Sequence, residues 1–237
     1  MSGLQSEIRA EPIPNIQVYL GRTGRQYLRK VSLDVMYRHF VKRLLDVALS
    51  LCALAVLAIP MCVFALMIKR EDRGSAFFAQ KRVGIHKRHF SMYKFRSMRN
   101  DTPHDVPTHL LENPEKYLLR CGKWMRKYSI DELPQIINIL KGDMSIVGPR
   151  PALWNQYDLI AERDKYGAND IRPGLTGWAQ INGRDELEIE EKARFDGEYV
   201  RRESFMFDVM CIFRTVFSAA KHEGVVEGGT GTLKNQG

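Results

Sequence analysis

The chain has 237 residues, with 36 Lys and Arg against 28 Asp and Glu and a formal net charge of +8 at neutral pH. That length allows one catalytic domain with an anchor, and the charge suits a surface held against anionic lipid head groups or one that receives phosphorylated substrates. No zinc finger, RNA-binding strand motif or basic zipper accompanies the basic residues, so nucleic acid is not expected as a partner.

Residues 1–37 are polar, with Pro12, Pro14 and the Gly21 to Gly24 stretch, and are expected to form a partly disordered N-terminal extension. They lack the early apolar stretch of a secretory signal, so the later apolar segment is expected to be retained as an anchor. That segment is a predicted helix over 38–70, with no charged side chain between Val47 and Ile68. It is long enough for the hydrocarbon thickness of a bilayer. Pro60 lies inside it, and both flanks are basic: Arg38, Lys42 and Arg43 before, Lys69, Arg70 and Arg73 after. A spanning helix ordinarily carries its Lys and Arg on one side. Two topologies fit: a helix that enters one leaflet, bends at Pro60 and returns, or a spanning helix that tolerates its proline.

Residues 71–224 form the expected catalytic domain. A short strand is predicted at Ala76 to Ala79, then a basic loop from Lys81 to Arg88, then a second extended segment at Phe90 to Met98. Lys94 and Arg96, two apart in that segment, would share a face. Asn113 to Tyr128 reads as helix, with Tyr117, Leu118, Cys121, Trp124 and Met125 on one side. Leu133, Ile136, Ile137 and Leu140 mark a clearer amphipathic helix that stops at Lys141-Gly142. A Gly-Pro loop to Pro151, a helix around Trp154 to Tyr166, turns at Pro173-Gly174 and Gly177, and two more helices complete the domain. The last, Phe205 to Lys221, has an apolar face suited either to the core or to the membrane interface. The tail, 225–237, lacks the strand, lysine and helix of a nucleotide loop and is expected to be flexible. Cys52, Cys62, Cys121 and Cys211 have no metal or redox spacing and are expected to be free buried thiols in a reducing cytoplasm.

Chemistry centres on Asp131 and Glu132, adjacent acids at a helix start. Ser129 with Glu132 three residues later spells a capping box, but Pro134 would then fall inside the helical ladder. A start at Ile130 or Asp131 puts Pro134 in the first turn and leaves the acids free to hold a divalent cation, with one of them as nucleophile. Arg150, between Pro149 and Pro151, is a stiffly held guanidinium suited to gripping phosphate. Arg172 before Pro173-Gly174, Lys94 and Arg96 add positive charge. His86, His89, His104 and His109 show no metal spacing, and Trp178 and Tyr93 are expected in the core.

Several stretches together resemble one family, the small monotopic polyprenyl-phosphate phosphoglycosyl transferases or bacterial sugar transferases. They are Lys42-Arg43 with Asp46, Gln80-Lys81-Arg82-Val83-Gly84, Tyr93-Lys94-Phe95-Arg96-Ser97-Met98 and Ser129-Ile130-Asp131-Glu132-Leu133-Pro134-Gln135. The run from Lys141 to Pro151 and that from Arg172 to Gln180 complete the set. The resemblance implies an α+β, mainly helical fold: a re-entrant membrane helix-break-helix plus a small catalytic domain with interfacial amphipathic helices, on the cytoplasmic face of the bacterial inner membrane. It implies transfer of a sugar-1-phosphate from a UDP-sugar to undecaprenyl phosphate with release of UMP, initiating a surface polysaccharide or glycan. By the same resemblance Asp131 is the nucleophile of a covalent phosphosugar intermediate, and Glu132 and Mg²⁺ assist, with both acids as metal ligands. The resemblance implies that Arg150 helps bind phosphate, and Lys94, Arg96 and Arg172 are expected to join it. Membrane phospholipids are implied partners; a second copy of the chain and downstream glycosyl transferases are further candidates. Family members usually carry Ser before the helix-breaking proline where this chain has Ile59, so a shallower bend is expected. The rival readings are a glycosyl transferase that moves only the sugar and a membrane scaffold whose acids merely cap a helix.

Overall fold

In the computed structural model the apolar run forms one helix, α1 (Lys42–Glu71), entered through a π-helical turn at Tyr37–Val41. The structure describes residues 35–102, 114–183 and 187–221. Expectations for 1–34, for His104, His109 and His222, and for the tail lie outside the described residues. With its leading turn α1 is long and apolar enough to cross a membrane. Helical residues continue on both sides of Pro60, which lies inside the helix. Proline deletes one donor and crowds one preceding turn, and the intact ladder on either side carries the helix across.

One face of α1 is buried at helical spacing, through Lys42, Asp46 and Ser50 and then Met61 and Ile68. The opposite face is bare: Val56 and Ile59 are 75% and 78% exposed. Cys52 and Cys62 are also exposed, which corrects the expectation of four buried thiols; Cys121 and Cys211 are buried. Cys52 and Cys62 sit on a helix whose apolar residues outnumber the places available on its docked face.

Both ends of the apolar run dock on the same body. Near the start, Arg43 donates to the carbonyls of Ile139 and Leu140 at 2.6 and 2.9 Å, and Asp46 accepts the Ile146 N–H at 2.9 Å. Lys42 pairs with Asp208 and donates to the Tyr199 hydroxyl at 3.0 Å. At the far end Met61 and Ile68 join Ala76, Phe95, Leu119 and Met125 in an apolar core.

After α1 the chain forms an antiparallel hairpin, β1 (Phe77–Val83) with β2 (His89–Phe95). The strand runs through Lys81 and Arg82, where the sequence suggested a loop, because both pair with β2, opposite Ser91 and Phe90. Cross-strand pairing outweighs local charge when the charged side chains can alternate outward. The helix expected from Asn113 is interrupted. A 3₁₀ turn at Pro114–Tyr117 precedes α2 (Arg120–Lys127), and between them Leu118 bridges Met98 while the Leu119 N–H bonds the Ser97 carbonyl at 3.0 Å.

The amphipathic helix is α3 (Gln135–Lys141), closed by Gly142 in the left-handed region. The Gly-Pro loops that flank the next helix hide a short parallel pair, β3 (Ser145–Val147) with β4 (Gly174–Thr176). Between them lies α4 (Tyr157–Asp164), which starts later than expected because Leu153 bridges Arg82. The chain ends in α5 (Trp178–Ile181), α6 (Ile189–Arg202) and α7 (Phe205–Lys221). A second apolar core forms from Val147, Trp178, Tyr199, Phe207 and Cys211.

The parallel pair depends on glycine. A Cβ on Gly174 would collide with the amide nitrogen of Gly148 and the carbonyl of Thr176, both backbone atoms that cannot swing aside. Gly174→Ala is therefore expected to cost roughly 1–3 kcal/mol, the usual scale of overpacking, as a lower urea midpoint. A wild-type midpoint would show that the two strands separate freely.

Candidate active site

Asp131 and Glu132 lie in a 3₁₀ turn, Ile130–Glu132, one step ahead of α3. Ser129 before them has φ 54° and ψ 25°, in the left-handed region, and makes no side-chain cap bond; Pro134 is the residue that enters the helix. The capping box does not form, and the helix starts four to five residues later than the sequence readings placed it. A left-handed Ser129 cannot hold the extended geometry of a capping residue. Both carboxylates are consequently released from capping, yet both are buried.

The Lys94 ammonium, from the end of β2, donates to Glu132 Oε1 at 2.9 Å. Arg150, just after β3, reaches Oε1 at 2.7 Å and Oε2 at 3.5 Å. Arg150 is held by its own segment: the Arg82 guanidinium from β1 donates to the Pro151 carbonyl at 2.9 Å and to Gln80 Oε1 at 3.1 and 2.6 Å. Two distant parts of the sequence thus converge on one carboxylate, and a third braces one of them. Asp131 accepts no side-chain hydrogen bond among the described residues, although Lys94 and Arg126 exert positive charge on it.

The two acids are driven apart electrostatically. Burial pushes Glu132 upward, but the Arg150 guanidinium and the Lys94 ammonium outweigh it and hold the carboxyl well below its ordinary range. Burial also pushes Asp131 up; Lys94 pulls it back, the Glu132 charge adds to the rise, and the net shift is upward. Lys94 itself is lowered, first by burial and further by Arg150, with Glu132 acting in the opposite sense. Such a divergence between neighbouring acids separates their chemical roles.

The structure brings Lys94 and Arg150 to the acids and does not bring Arg96 or Arg172 there. Arg96 lies just past the end of β2 and turns to the C-terminus of α1, where it bonds the Asp72 carboxylate at 2.8 Å, the Asp72 carbonyl at 2.5 Å and the Asn100 side chain. The face shared with Lys94 is lost because the strand stops at Phe95. Arg172 is exposed and donates to the Gly142 carbonyl at 3.1 Å. It sits at the opposite end of α3 from the acids, about 10 Å away along the axis at 1.5 Å per residue.

Arg82 and Arg126 were missed as site residues. Arg82 stood in the quoted Gln80 to Gly84 stretch, and Arg126 lies in the last turn of a helix ending just before Asp131. A divalent cation fits this donor set in one way. Among the described residues no group of three or more His, Cys, Asp or Glu converges, and both Glu132 oxygens are engaged by cations. Mg²⁺ commonly takes one or two carboxylates and completes its shell with phosphate oxygens and water. Asp131, with no side-chain donor on it, is the freer ligand of the two; Glu132 has both oxygens engaged by cations.

Comparison with known proteins finds relatives along most of the chain. The family described as bacterial sugar transferase matches residues 37–222. An uncharacterized sugar transferase, EpsL, of Bacillus subtilis (strain 168) is 39% identical over 186 residues, covering 78% of this chain and 90% of that protein. The UDP-glucose:undecaprenyl-phosphate glucose-1-phosphate transferase of Escherichia coli (strain K12) is 39% identical over 185 residues, 75% of this chain and 39% of the relative. A UDP-N-acetylgalactosamine-undecaprenyl-phosphate N-acetylgalactosaminephosphotransferase of Aeromonas hydrophila is 36% identical over 184 residues, covering 75% of this chain and 43% of the relative. The chain therefore spans less than half of these two longer relatives.

Opposite shifts predict opposite effects on stability. Glu132, lowered in the folded protein, stabilises it above the unfolded carboxylate value of about 4.3, and that contribution is lost as pH falls through the folded value. Asp131, raised, favours folding below its unfolded value of about 3.9 and ceases to do so as pH rises through the folded value. At neutral pH Glu132→Gln should lose about 3–5 kcal/mol, because Lys94 and Arg150 are left buried without a counter-charge. Asp131→Asn should be as stable as wild type or more so. Urea denaturation of the two variants checks this, and equal losses in both would contradict it.

Proposed function

Because the chain belongs to the bacterial sugar transferase family, we propose that it transfers a sugar-1-phosphate from a UDP-sugar to undecaprenyl phosphate, releasing UMP, in two steps. The observation that carries this reading is the unequal pair: Glu132 clamped between Lys94 and Arg150, and Asp131 beside it with no side-chain donor. In the first step an Asp131 carboxylate oxygen forms a bond to the sugar-bearing phosphorus while the bond to the UMP oxygen breaks. UMP leaves with that electron pair. In the second step an oxygen of undecaprenyl phosphate attacks the same phosphorus, the acyl-phosphate bond breaks, and the Asp131 carboxylate is restored. No net oxidation or reduction occurs.

Both substrates are anionic, so a carboxylate nucleophile needs positive charge around the phosphorus. Lys94 and Arg150 supply it from fixed positions, and Arg126 adds positive charge near the nucleophile. Mg²⁺, taken up with the diphosphate, would neutralise phosphate oxygens, with Asp131 as the protein ligand this arrangement offers. The scaffold reading loses its basis, since neither acid caps α3. The sugar is left unassigned: relatives named for glucose and for N-acetylgalactosamine match at 39% and 36% identity.

The proposed setting is the cytoplasmic face of the inner membrane, with α1 re-entrant in one leaflet. Two observations support it: basic residues at both flanks of the apolar run, and the docking of Asp46 at one end and Ile68 at the other on the same domain. A helix that spanned the bilayer would carry those ends to opposite faces of the membrane. Labelling of single cysteines near Arg38 and near Glu71, in a variant with Cys52 and Cys62 replaced, should give the same cytoplasmic accessibility at both. Periplasmic labelling at either site would contradict the re-entrant placement.

The chemistry is tested without lipid. With its UDP-sugar and Mg²⁺ alone the protein should release at most about one equivalent of UMP, as a stalled covalent step requires, and added undecaprenyl phosphate should restart turnover. Asp131→Asn should lose the burst. Release of UDP would indicate transfer of the sugar alone, and release of UMP only with lipid present would favour direct transfer.

A further inference from the structure

At the foot of α1 an open cleft of about 470 Å³ lies between Arg38, before the helix, and Arg201, Arg202, Glu203, Met206 and Met210 at the junction of α6 and α7. Its walls differ in kind. One end is basic: Arg38 donates to the carbonyls of Glu203 and Arg201 at 3.1 and 3.4 Å, which fixes its guanidinium at the mouth. Arg202 is set over the Phe207 ring at 4.2 Å and pairs with Glu198 at 2.6 Å. Glu203, the acid in the cleft, has a buried side chain engaged by Arg38 at 3.7 Å and Lys42 at 4.0 Å. Arg201 is exposed and makes no ion pair among the described residues. The cleft thus carries a surplus of positive charge.

Met206, Phe207 and Met210 supply its apolar lining, and α7 continues past it with bare hydrophobic residues. Met206, Phe213, Val216 and Phe217 of α7 are 72%, 72%, 64% and 64% exposed. Phe40 and Leu44 begin the bare face of α1, so Arg38 lies within about 9 Å of it along the axis. Tyr37 and Phe205 meet edge to face at 6.0 Å, linking the base of α1 to the start of α7. Basic groups at the rim of continuous apolar surface stand where head groups meet acyl chains.

We propose that this cleft binds the phosphate of an anionic glycerophospholipid of the bilayer, with Arg38, Arg201 and Arg202 around the phosphate and Met206 and Met210 against the upper acyl chain. The assignment rests on the membrane placement proposed above. It names a site away from the acids, one that sets the depth and tilt of α7 and of the base of α1. A soluble anion would satisfy the arginines but leave the methionine wall and the α7 face in water; a lipid satisfies both.

The test uses the full chain in nanodiscs of equal phosphatidylcholine and phosphatidylglycerol. Co-elution with the disc is scored first, and the lipids retained after release are then read by native mass spectrometry. Wild type should retain phosphatidylglycerol over phosphatidylcholine, and Arg201→Glu should reduce that preference by at least about fivefold, the factor one basic residue contributes at an anionic surface. Lys116→Glu, the same charge change on the exposed Pro114–Tyr117 turn, should leave it unchanged. Equal retention of the two lipids by wild type, or equal loss in both variants, would overturn the site. Displacement of phosphatidylglycerol by an equal fraction of undecaprenyl phosphate would overturn its assignment to an ordinary phospholipid. A chain that elutes apart from the discs would refute the membrane placement, and this site with it, at the first reading.

Discussion

Two carboxylates on consecutive buried residues cannot both remain ionised unless cations offset them, and this constraint organises the middle of the molecule. The cations go to one of the pair. Glu132 takes Lys94 from β2 and Arg150 from the segment after β3, so one side chain joins the hairpin, the 3₁₀ turn and the parallel pair. Arg82 of β1 then holds the Pro151 carbonyl. Beneath it the close approach of Gly148 to Gly174 lets the two short strands run side by side. In the proposed reaction the consequence is a division of labour: the acid that is clamped positions the cations, and the acid that is not clamped is available to phosphorus.

The same use of buried charge fixes the membrane helix to the domain. Lys42 enters a pocket with Asp208 and the Tyr199 hydroxyl, Tyr37 bonds Asp208 at 2.6 Å, and Tyr199 bonds it at 2.7 Å and the Val147 carbonyl at 3.1 Å. Breaking a buried, fully bonded pair of this kind is costly because it leaves a lone charge inside. α1 is therefore not a tether on a loose stalk. Its base is bonded to α6, α7 and β3, and β3 leads into the segment that carries Arg150. A lipid phosphate converts a difficult encounter into an oriented one if it meets the nucleotide at a fixed depth, and a rigid joint between anchor and site provides that.

Much of this was legible in the sequence, and the failures have physical causes. The long apolar helix declares itself by its uncharged length, α3 and α7 by periodicity, and Lys94, Asp131, Glu132 and Arg150 by residue type and setting. β3 and β4 could not be seen: three residues each, rich in glycine nearby, they show no alternation, and their pairing is specified by backbone contact. The extent of β1 was hidden because Lys81 and Arg82 look like loop residues until β2 is beside them. Arg96 misled because its partner, Asp72, lies 24 residues away at the end of α1. Arg126 carried a signal that was passed over: a cation in the last turn of a helix stands close to whatever the following turn presents.

The division between the two acids is open to one direct measurement. After rapid quench of the protein with its UDP-sugar and Mg²⁺ in the absence of lipid, peptide mapping should find the phosphosugar mass on Asp131 and none on Glu132. A modified Glu132, or an unmodified dyad with the adduct elsewhere in the chain, would contradict the account.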